Sequence, residues 1–545
     1  MKPRDCTDTS STRQRCTEFR AGWPDRAPST PPVQNTAIPN GELIHNFPER
    51  HPLLTDLLAF TAGALSTLAF APFGLWPFAI LLPVVLLWSW DHATPRQAAL
   101  RGGLFGLGLF GCGIYWIYIS LHDYGNAPAL FAALATFAVV WLMALYPAVV
   151  GWLLIRWGPP PGSRRWLLAF PALWTLLDWI RSWLFTGFPW LALGYSQIDA
   201  PLGQFAPYLG VFGVGWTVLL SAGLLRASLC DGNRVRLERL GLLAVLWLSA
   251  WGLGRIHWAE PAGPPLQIAI IQGNIAQNQK WQPDALDATL YRYIQLSLPE
   301  HDRNQVIIWP ETAIPAFYQN VRPFIDALAT RAQRDQVDYV TGLPTGSWET
   351  SIFHNSVARI GSTVAFYHKR RLLPFGEYLP LREFFLFFRS WVTIPMADFT
   401  AGDHNQPLLQ VGGQPVGISI CFEAVFGSEI RQSLPKATWL INVSNDGWFK
   451  DSTAPHQHLQ IARMRALEVE RYMARSTNTG VSAILDERGQ IVVQAPQFQP
   501  VAIRGEVHPL RGLTPYARWG DIPSVVLMIA SLVASWLLVK RASKP

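Results

Sequence analysis

Three residues in the C-terminal half have side chains and settings suited to covalent chemistry. Cys421 closes the apolar stretch Gly417-Ile418-Ser419-Ile420, the kind of run that forms a buried strand, and Glu423 to Glu429 behind it can open a helix. A thiol on a strand-to-helix turn is rigidly aimed, and the next backbone N–H groups face whatever it attacks. Glu311 lies in Trp309-Pro310-Glu311-Thr312-Ala313, again at the end of an apolar run and beside a proline-fixed turn. That is a suitable place for a general base. Lys369 follows His368 and precedes Arg370 and Arg371. A lysine beside a thiol lowers its pKa from about 8.5 and can hold a developing oxyanion. Glu377, eight residues on, can orient that lysine or supply a second acid. Taken singly, each has an ordinary alternative: a structural thiol, an exposed loop acid, a basic surface cluster that Arg370 or Arg371 would serve as well, and a salt-bridge partner.

The elements that must position these groups divide the chain in two. Of 545 residues, half are hydrophobic and only 15% are charged, with 25 tryptophans. That composition points to membrane segments with interfacial tryptophans. The net charge of +7 does not point to nucleic acid, because the basic residues sit largely between apolar runs. Five cysteines without a C-x-x-C pair indicate neither a disulfide framework nor a zinc site.

Residues 1–51 are rich in Pro, Thr, Ser and Arg without periodicity, and are expected to be a disordered cytoplasmic tail. Seven apolar runs follow near 53–71, 75–90, 99–120, 128–155, 166–186, 207–229 and 239–257, and an eighth covers 522–539. Most approach the roughly 20 residues that cross a bilayer. The first ends in Ala69-Phe70-Ala71, which resembles a signal-peptidase site, but the further runs behind it favour an uncleaved span. Arg96 and Arg101, then Arg156, Arg164 and Arg165, then Arg226, Arg234, Arg236 and Arg239, and finally Lys540, Arg541 and Lys544 fall at every second connection. This pattern places both termini in the cytoplasm and residues 259–518 outside it.

That outer segment alternates short β-type runs (266–271, 305–309, 339–342, 356–360, 416–420, 439–443) with helical stretches at 284–298 and 324–334, and so predicts an α/β domain. Cys421 is its single thiol. With no partner for a disulfide in an oxidising compartment, chemistry becomes the better reading.

Glu311, Lys369 and Cys421, in that order and in those contexts, resemble the Glu-Lys-Cys triad of the nitrilase superfamily. With seven spans before the domain and one behind, residues 52–540 are similar to the apolipoprotein N-acyltransferase family, the membrane-bound branch of that superfamily. Ser444 to Phe449 and the run from Gln457 to Gly480 strengthen the match. The resemblance implies eight transmembrane helices (seven in 52–258, the last in 519–545) and a periplasmic α-β-β-α sandwich over 259–518. It also implies that an acyl chain moves from a glycerophospholipid to the N-terminal amine of diacylated lipoproteins, the last step of their maturation in the bacterial inner membrane. Glu311 would be the base, Lys369 the oxyanion donor and Cys421 the nucleophile of a thioester pathway. Glu377, Phe422 and Glu423 would support them, and Trp281, Phe375 and Trp448, apolar residues near polar turns, would line the lipid pocket or simply pack. No metal, cofactor or nucleic acid is implied, and a monomer is expected. Phe422 stands where many members carry Tyr, keeping the ring without the hydroxyl. The alternatives are a membrane-tethered amidase acting on a small amide, which gives no reason for eight spans, and a transporter or receptor, which the scarcity of deep charges in the spans disfavours.

Other patterns are set aside. Gly106, Gly108 and Gly111 fit G-x-G-x-x-G but lie in an apolar run, where Gly102 and Gly106 suit close helix packing. His456 and His458 lack acidic or cysteine neighbours in sequence for a metal. Asp178 and Arg181 are expected to pair at the outer interface.

Overall fold

The computed structural model describes residues 47–230, 232–347, 349–378 and 398–542. Most of the expected tail, residues 1–46, lies outside them. Its last residues, Phe47–Arg50, form one helical turn, because Phe47 packs on Trp88 with ring centroids 5.7 Å apart.

The first seven apolar runs all contain helices: α1 (Pro52–Ser66), α2 (Phe78–Ser89), α3 (Pro95–Gly113), α4 (Ala129–Arg156), α5 (Phe170–Arg181), α6 (Ala206–Ser228) and α7 (Asn233–Leu253). Among the described residues, three helical segments are long and apolar enough to cross a membrane: residues 52–69, 129–156 and 201–228. Thr94 starts α3 with a capping box, its hydroxyl accepting from the Gln97 N–H while the Gln97 side chain accepts from the Thr94 N–H. The run at 99–120 is not one straight helix. It bends by 48° between Gly113 and Trp116, and if the two pieces form one span, the count becomes four.

Glycines set the spacing of this bundle. A Cβ on Gly102 would lie 2.3 Å from the Pro147 carbonyl oxygen of α4, and one on Gly108 would lie 2.2 Å from the Phe60 carbonyl oxygen of α1. The spacing read from the sequence at Gly102 and Gly106 is thus a packing device, with backbone as the obstacle. Gly102→Ala is expected to destabilise the protein by about 1–3 kcal/mol through overpacking. A lower midpoint of thermal aggregation in detergent would register it.

The second half is built on two six-stranded sheets. Its strands are β1 (Leu266–Gln272), β2 (Val306–Ile308), β3 (Asp338–Ser347), β4 (Ile352–Ile360), β5 (Val364–His368), β6 (Leu409–Val411), β7 (Gln414–Ile420), β8 (Trp439–Ser444), β9 (Met473–Thr477), β10 (Ala483–Leu485), β11 (Ile491–Gln494) and β12 (Val501–Val507). One sheet runs β12-β1-β2-β3-β4-β5 and the other β11-β10-β9-β8-β7-β6. The central strands pair in parallel, β1 with β2, β2 with β3, β7 with β8 and β8 with β9, whereas β4 pairs antiparallel with both β3 and β5.

Period-two alternation explains the layers. Ile268, Ile270, Val306 and Ile308 face Ile418, Ile420, Ile441 and Val443 between the sheets. Ala269, Ile271 and Ile307 turn outward to pack with Leu290 of α8 (Leu286–Ser297) and Ile325 of α9 (Arg322–Asp335). Leu440 and Met473 face Leu459 and Ala466 of α10 (Ala454–Val469). Both faces of these strands are buried, so they read as continuous apolar runs. The result is the expected α-β-β-α sandwich. The eighth run forms α11 (Ile522–Ala542).

The two halves share one core. Phe422, Val425, Phe426 and α10 residues Ile461 and Met464 belong to the same apolar cluster as the first-half helices. Polar contacts repeat the join. Gln460 accepts from the Ala71 N–H at 3.2 Å, and Glu468 accepts from the Val211 N–H at 2.8 Å.

Candidate active site

The strand ends deliver the expected residues to one place. Glu311 follows β2, where buried Trp309 anchors the turn by donating from its indole to the Ser297 hydroxyl at 2.9 Å. Gly342 of β3 is needed beside it, since a Cβ there would lie 2.7 Å from the Glu311 Cα. Lys369 immediately follows β5 and is 1% exposed. Its ammonium donates to Glu377 at 2.9 Å and lies 3.8 Å from Glu311 Oε1. Glu377 is therefore an integral member of the cluster. Asn355 of β4 bridges the two acids, donating to Glu311 Oε1 at 2.8 Å and Glu377 Oε1 at 2.7 Å. Lys280 is buried on the far side and donates to the Glu311 carbonyl at 3.1 Å.

Cys421 follows β7 in left-handed backbone, with φ 51°. Such strain in a non-glycine residue must be held by its surroundings. Glu423 supplies part of that hold. It accepts from the Ile420 N–H at 2.8 Å, the Arg370 N–H at 2.6 Å, the Arg371 N–H at 3.1 Å and the Tyr367 hydroxyl at 3.1 Å. One buried carboxylate thus ties the Cys421 turn to the loop that carries Lys369. Glu423→Gln replaces an acceptor of all these bonds with a half-donor. It should slow transfer by roughly 10²-fold through misplacement of the two groups; single-turnover acylation would measure the loss.

The electrostatics follow from burial and near-neutral pairing. Burial pushes the Cys421 thiol up to about 12; Glu311 adds to the shift and Lys369 opposes it. The residue keeps part of its surface open, so it is the enclosed sulfur that is poorly solvated. Burial also raises Glu311 above the usual carboxylate range, with Lys369 opposing and Glu377 reinforcing the shift. Burial acts against the Lys369 charge, but Glu377, Glu311 and Cys421 hold the ammonium above its ordinary value. Burial lowers Lys280 to about 8, offset in part by Glu311.

The remaining expected residues lie around this cluster. Phe422 packs edge-on against Phe426 at 5.0 Å, within the core shared with the first-half helices. Trp448 meets the Tyr124 ring at 5.8 Å, and its carbonyl accepts from the Ser120 hydroxyl at 3.0 Å. Trp281 and Phe375 stay 41% and 47% exposed. Asp178 and Arg181 pair at 2.8 Å as expected. Among the described residues, no group of three or more His, Cys, Asp or Glu is placed to hold a metal ion.

Comparison with known proteins gives this arrangement a family. Residues 62–224 match the family model described as the apolipoprotein N-acyltransferase N-terminal domain, and residues 267–507 match the carbon-nitrogen hydrolase model. An apolipoprotein N-acyltransferase from Methylococcus capsulatus is 46% identical over 86% of this chain and 94% of its own. The chain belongs to the apolipoprotein N-acyltransferase family. Apolipoprotein N-acyltransferases from Nitrosomonas europaea and Pseudomonas putida are 41% and 40% identical over 88% and 90% of this chain, and 97% of each relative. The carbon-nitrogen hydrolase match spans both sheets except the ends of the segment, so Glu311, Lys369 and Cys421 all fall within the part this family shares with the wider superfamily.

Several contributors carry no signal in the sequence. Asn355 sits in mid-strand, and Lys280 lies in the polar turn beside Trp281. His458 was visible as one of a histidine pair, yet its partners are Asp446 and the Cys421 carbonyl. The family resemblance read from the sequence named Glu311, Lys369 and Cys421 and covered the tract that holds His458, but it pointed to neither Asn355 nor Lys280.

Proposed function

We propose that the chain transfers an acyl chain from a glycerophospholipid to the N-terminal amine of diacylglyceryl-cysteine in lipoproteins, through a thioester on Cys421. The relatives are named for N-acylation of apolipoproteins. The observation that carries the residue roles is the buried pair Glu311 and Lys369, whose charges act on the Cys421 thiol, with Glu377 bonded to the lysine.

A thiol at about 12 is ionised to only roughly 10⁻⁵ at neutral pH, so attack requires a base in the same step. Glu311 takes the thiol proton as sulfur adds to the ester carbonyl. Lys369 and the backbone N–H after Cys421 hold the oxyanion, and each such donor contributes roughly 10²–10³ in rate. Collapse breaks the ester C–O bond, and the departing lysophospholipid oxygen takes the proton back from Glu311. The acceptor amine then adds to the thioester and gives its proton to Glu311. Cys421 leaves as thiolate and recovers that proton. Two half-reactions through one sulfur require ping-pong kinetics.

Lipid substrates account for the first half of the chain. In this reading all eight apolar helices span the inner membrane, with the α/β domain on the periplasmic face and Trp281, Phe375 and Trp448 lining the lipid entry. Side-chain bonds support a common inner end for the helices. Arg101 at the start of α3 pairs with Asp56 of α1 at 2.9 Å, and Arg226 at the end of α6 pairs with Asp91 after α2. The other end of the bundle, at Ala71, Gly113 and Ser120, meets the α/β domain. The test is intact and peptide mass after mixing with phospholipid. One added acyl chain on the Cys421 peptide, discharged by a diacylated lipopeptide, is the expected result. A protein that turns over lipid without that adduct would refute it.

A further inference from the structure

Next to the reaction centre, a buried row of charges ends on the backbone of Cys421. Arg475 of β9 donates to Asp446 Oδ2 at 2.9 Å, and the Ser444 hydroxyl donates to Asp446 Oδ1 at 3.0 Å. His458 of α10 has Nδ1 at 3.0 Å from Asp446 Oδ1 and Nε2 at 3.2 Å from the Cys421 carbonyl oxygen. All of these side chains are buried.

The hydrogen-bond inventory fixes the form of the histidine. A carboxylate and a carbonyl are both acceptors, and a neutral imidazole has only one N–H. Either neutral tautomer would set a ring lone pair against an oxygen lone pair in a dry site. Both contacts are satisfied only when each ring nitrogen carries a proton. Burial above all, and then the Arg475 charge, lower His458 below its ordinary value, while the Asp446 carboxylate and the Cys421 carbonyl favour the second proton; the two acceptors at hydrogen-bond distance are the geometric argument for the charged form. Asp446 is itself held ionised at about 2, against its burial, chiefly by Arg475 and His458. With the Arg475 charge matched by Asp446 at contact distance, the two acceptors on the ring decide. The Trp190 ring also faces His458, with centroids 5.7 Å apart.

We propose that His458 is a positioning residue for acyl transfer: as an imidazolium it clamps the Cys421 carbonyl, holds the left-handed turn that aims the sulfur, and adds a fixed positive charge beside it. The proposal rests on the reading of Cys421 as nucleophile. Two restraints then grip the strained turn from opposite sides, Glu423 through the Ile420 N–H and His458 through the Cys421 carbonyl. The preceding residue, Gln457, extends the hold to the bent first-half helix. Its side-chain oxygen accepts from the indoles of Trp116 at 3.2 Å and Trp190 at 2.7 Å, and its amide donates to the Gly113 carbonyl at 3.1 Å. The site histidine is thereby registered against the break between α3 and the Trp116 helix.

The test uses the full chain in detergent–phospholipid micelles, with His458→Gln and His458→Phe. Two quantities are read on the Cys421 peptide by mass: the pH dependence of iodoacetamide alkylation, and the rate of acyl-enzyme formation. His458→Gln can still donate to the carbonyl but has no charge. It should acylate about tenfold more slowly, with alkylation at each pH from 7 to 9 slowed about tenfold as well. His458→Phe should lose about 10²-fold, the scale of a misplaced reacting group. An unchanged alkylation rate in His458→Gln over pH 7 to 9 overturns the proposal, whether or not acylation slows, because a merely structural histidine would leave the thiolate fraction alone. If His458→Phe fails to fold, His458→Gln decides. Acyl-enzyme on Cys421 in the unaltered protein is scored separately: its absence defeats the nucleophile, whereas its presence with unaffected His458 variants defeats only this inference.

Discussion

Replacing Cys421 with alanine removes acyl transfer by about 10⁴-fold or more, the scale seen when the nucleophile of a concerted catalytic group is deleted, and leaves the fold standing. The two halves of this expectation have separate causes. In the proposed sequence the sulfur accepts the acyl chain in the first half-reaction and gives it up to the amine in the second, so no neighbouring group can complete the sequence without it. The fold is insensitive because the turn is held by backbone and by Glu423, not by the thiol. The Ile420 N–H to Glu423 bond at 2.8 Å and the His458 contact to the Cys421 carbonyl survive the change. Alanine also sits no worse than cysteine in left-handed backbone. Cys421→Ser is expected to be nearly as inactive, because a hydroxyl is harder to ionise than a thiol already pushed up to about 12. Transfer of a labelled acyl chain to a diacylated lipopeptide, with thermal aggregation as the control for folding, checks both variants. Full transfer by the alanine variant would place the nucleophile elsewhere.

What the sequence made legible follows from how local each signal is. Cys421 and Glu311 each end an apolar run that the sequence marks as a strand, and strands paired in parallel bring such ends to one edge; the strand before Lys369 pairs antiparallel and was not among the marked runs. Strand-to-site placement of the first two could therefore be inferred from residues adjacent in the chain. The two-faced burial of β1 and β8 was legible for the same reason, as continuous apolar runs. The break at Gly113 was not, because Ile114 to Ile119 is as apolar as the helix before it. The bend is fixed from outside, by Gln457 taking the Gly113 carbonyl across 344 positions. Asn355 was hidden in a β strand, where its only distinction is to face two carboxylates that arrive from other elements. Lys280 looked like a surface residue among Gln, Asn and Trp, and only the burial of that turn reveals it. His458 appeared only within the tract that resembles the family and as one of two histidines set aside for want of metal ligands. Its actual partner, Asp446, is 12 positions away and already engaged by Arg475.

Lys369 is where the remaining large effect is expected. Lys369→Met keeps the length of the side chain and removes the one cation that stands between Glu311 and Glu377. Breaking a buried ion pair by removing one partner costs about 3–5 kcal/mol, and two acids bridged by Asn355 are left facing each other. Their mutual repulsion is relieved by taking up a proton, so Glu311, already raised by burial, binds its proton more tightly in the folded variant than in its unfolded chain. The sign then follows from linkage. A folded state that holds more protons than the unfolded one gains stability as pH falls and loses it as pH rises through the folded-state pKa. The thermal deficit of Lys369→Met should accordingly be greatest at alkaline pH and shrink on acidification. The unaltered protein should show this pattern more weakly, because its ammonium, held charged above the ordinary lysine range, opposes the rise that burial imposes on Glu311. Activity has no such recovery. The variant has lost an oxyanion donor, worth roughly 10²–10³ in rate, and low pH fills Glu311 with the proton it must be free to accept. Single-turnover acylation and thermal midpoints, both measured from pH 5 to pH 9, separate the two effects. A variant whose stability deficit grew with acidification would mean that Lys369 does not neutralise these carboxylates.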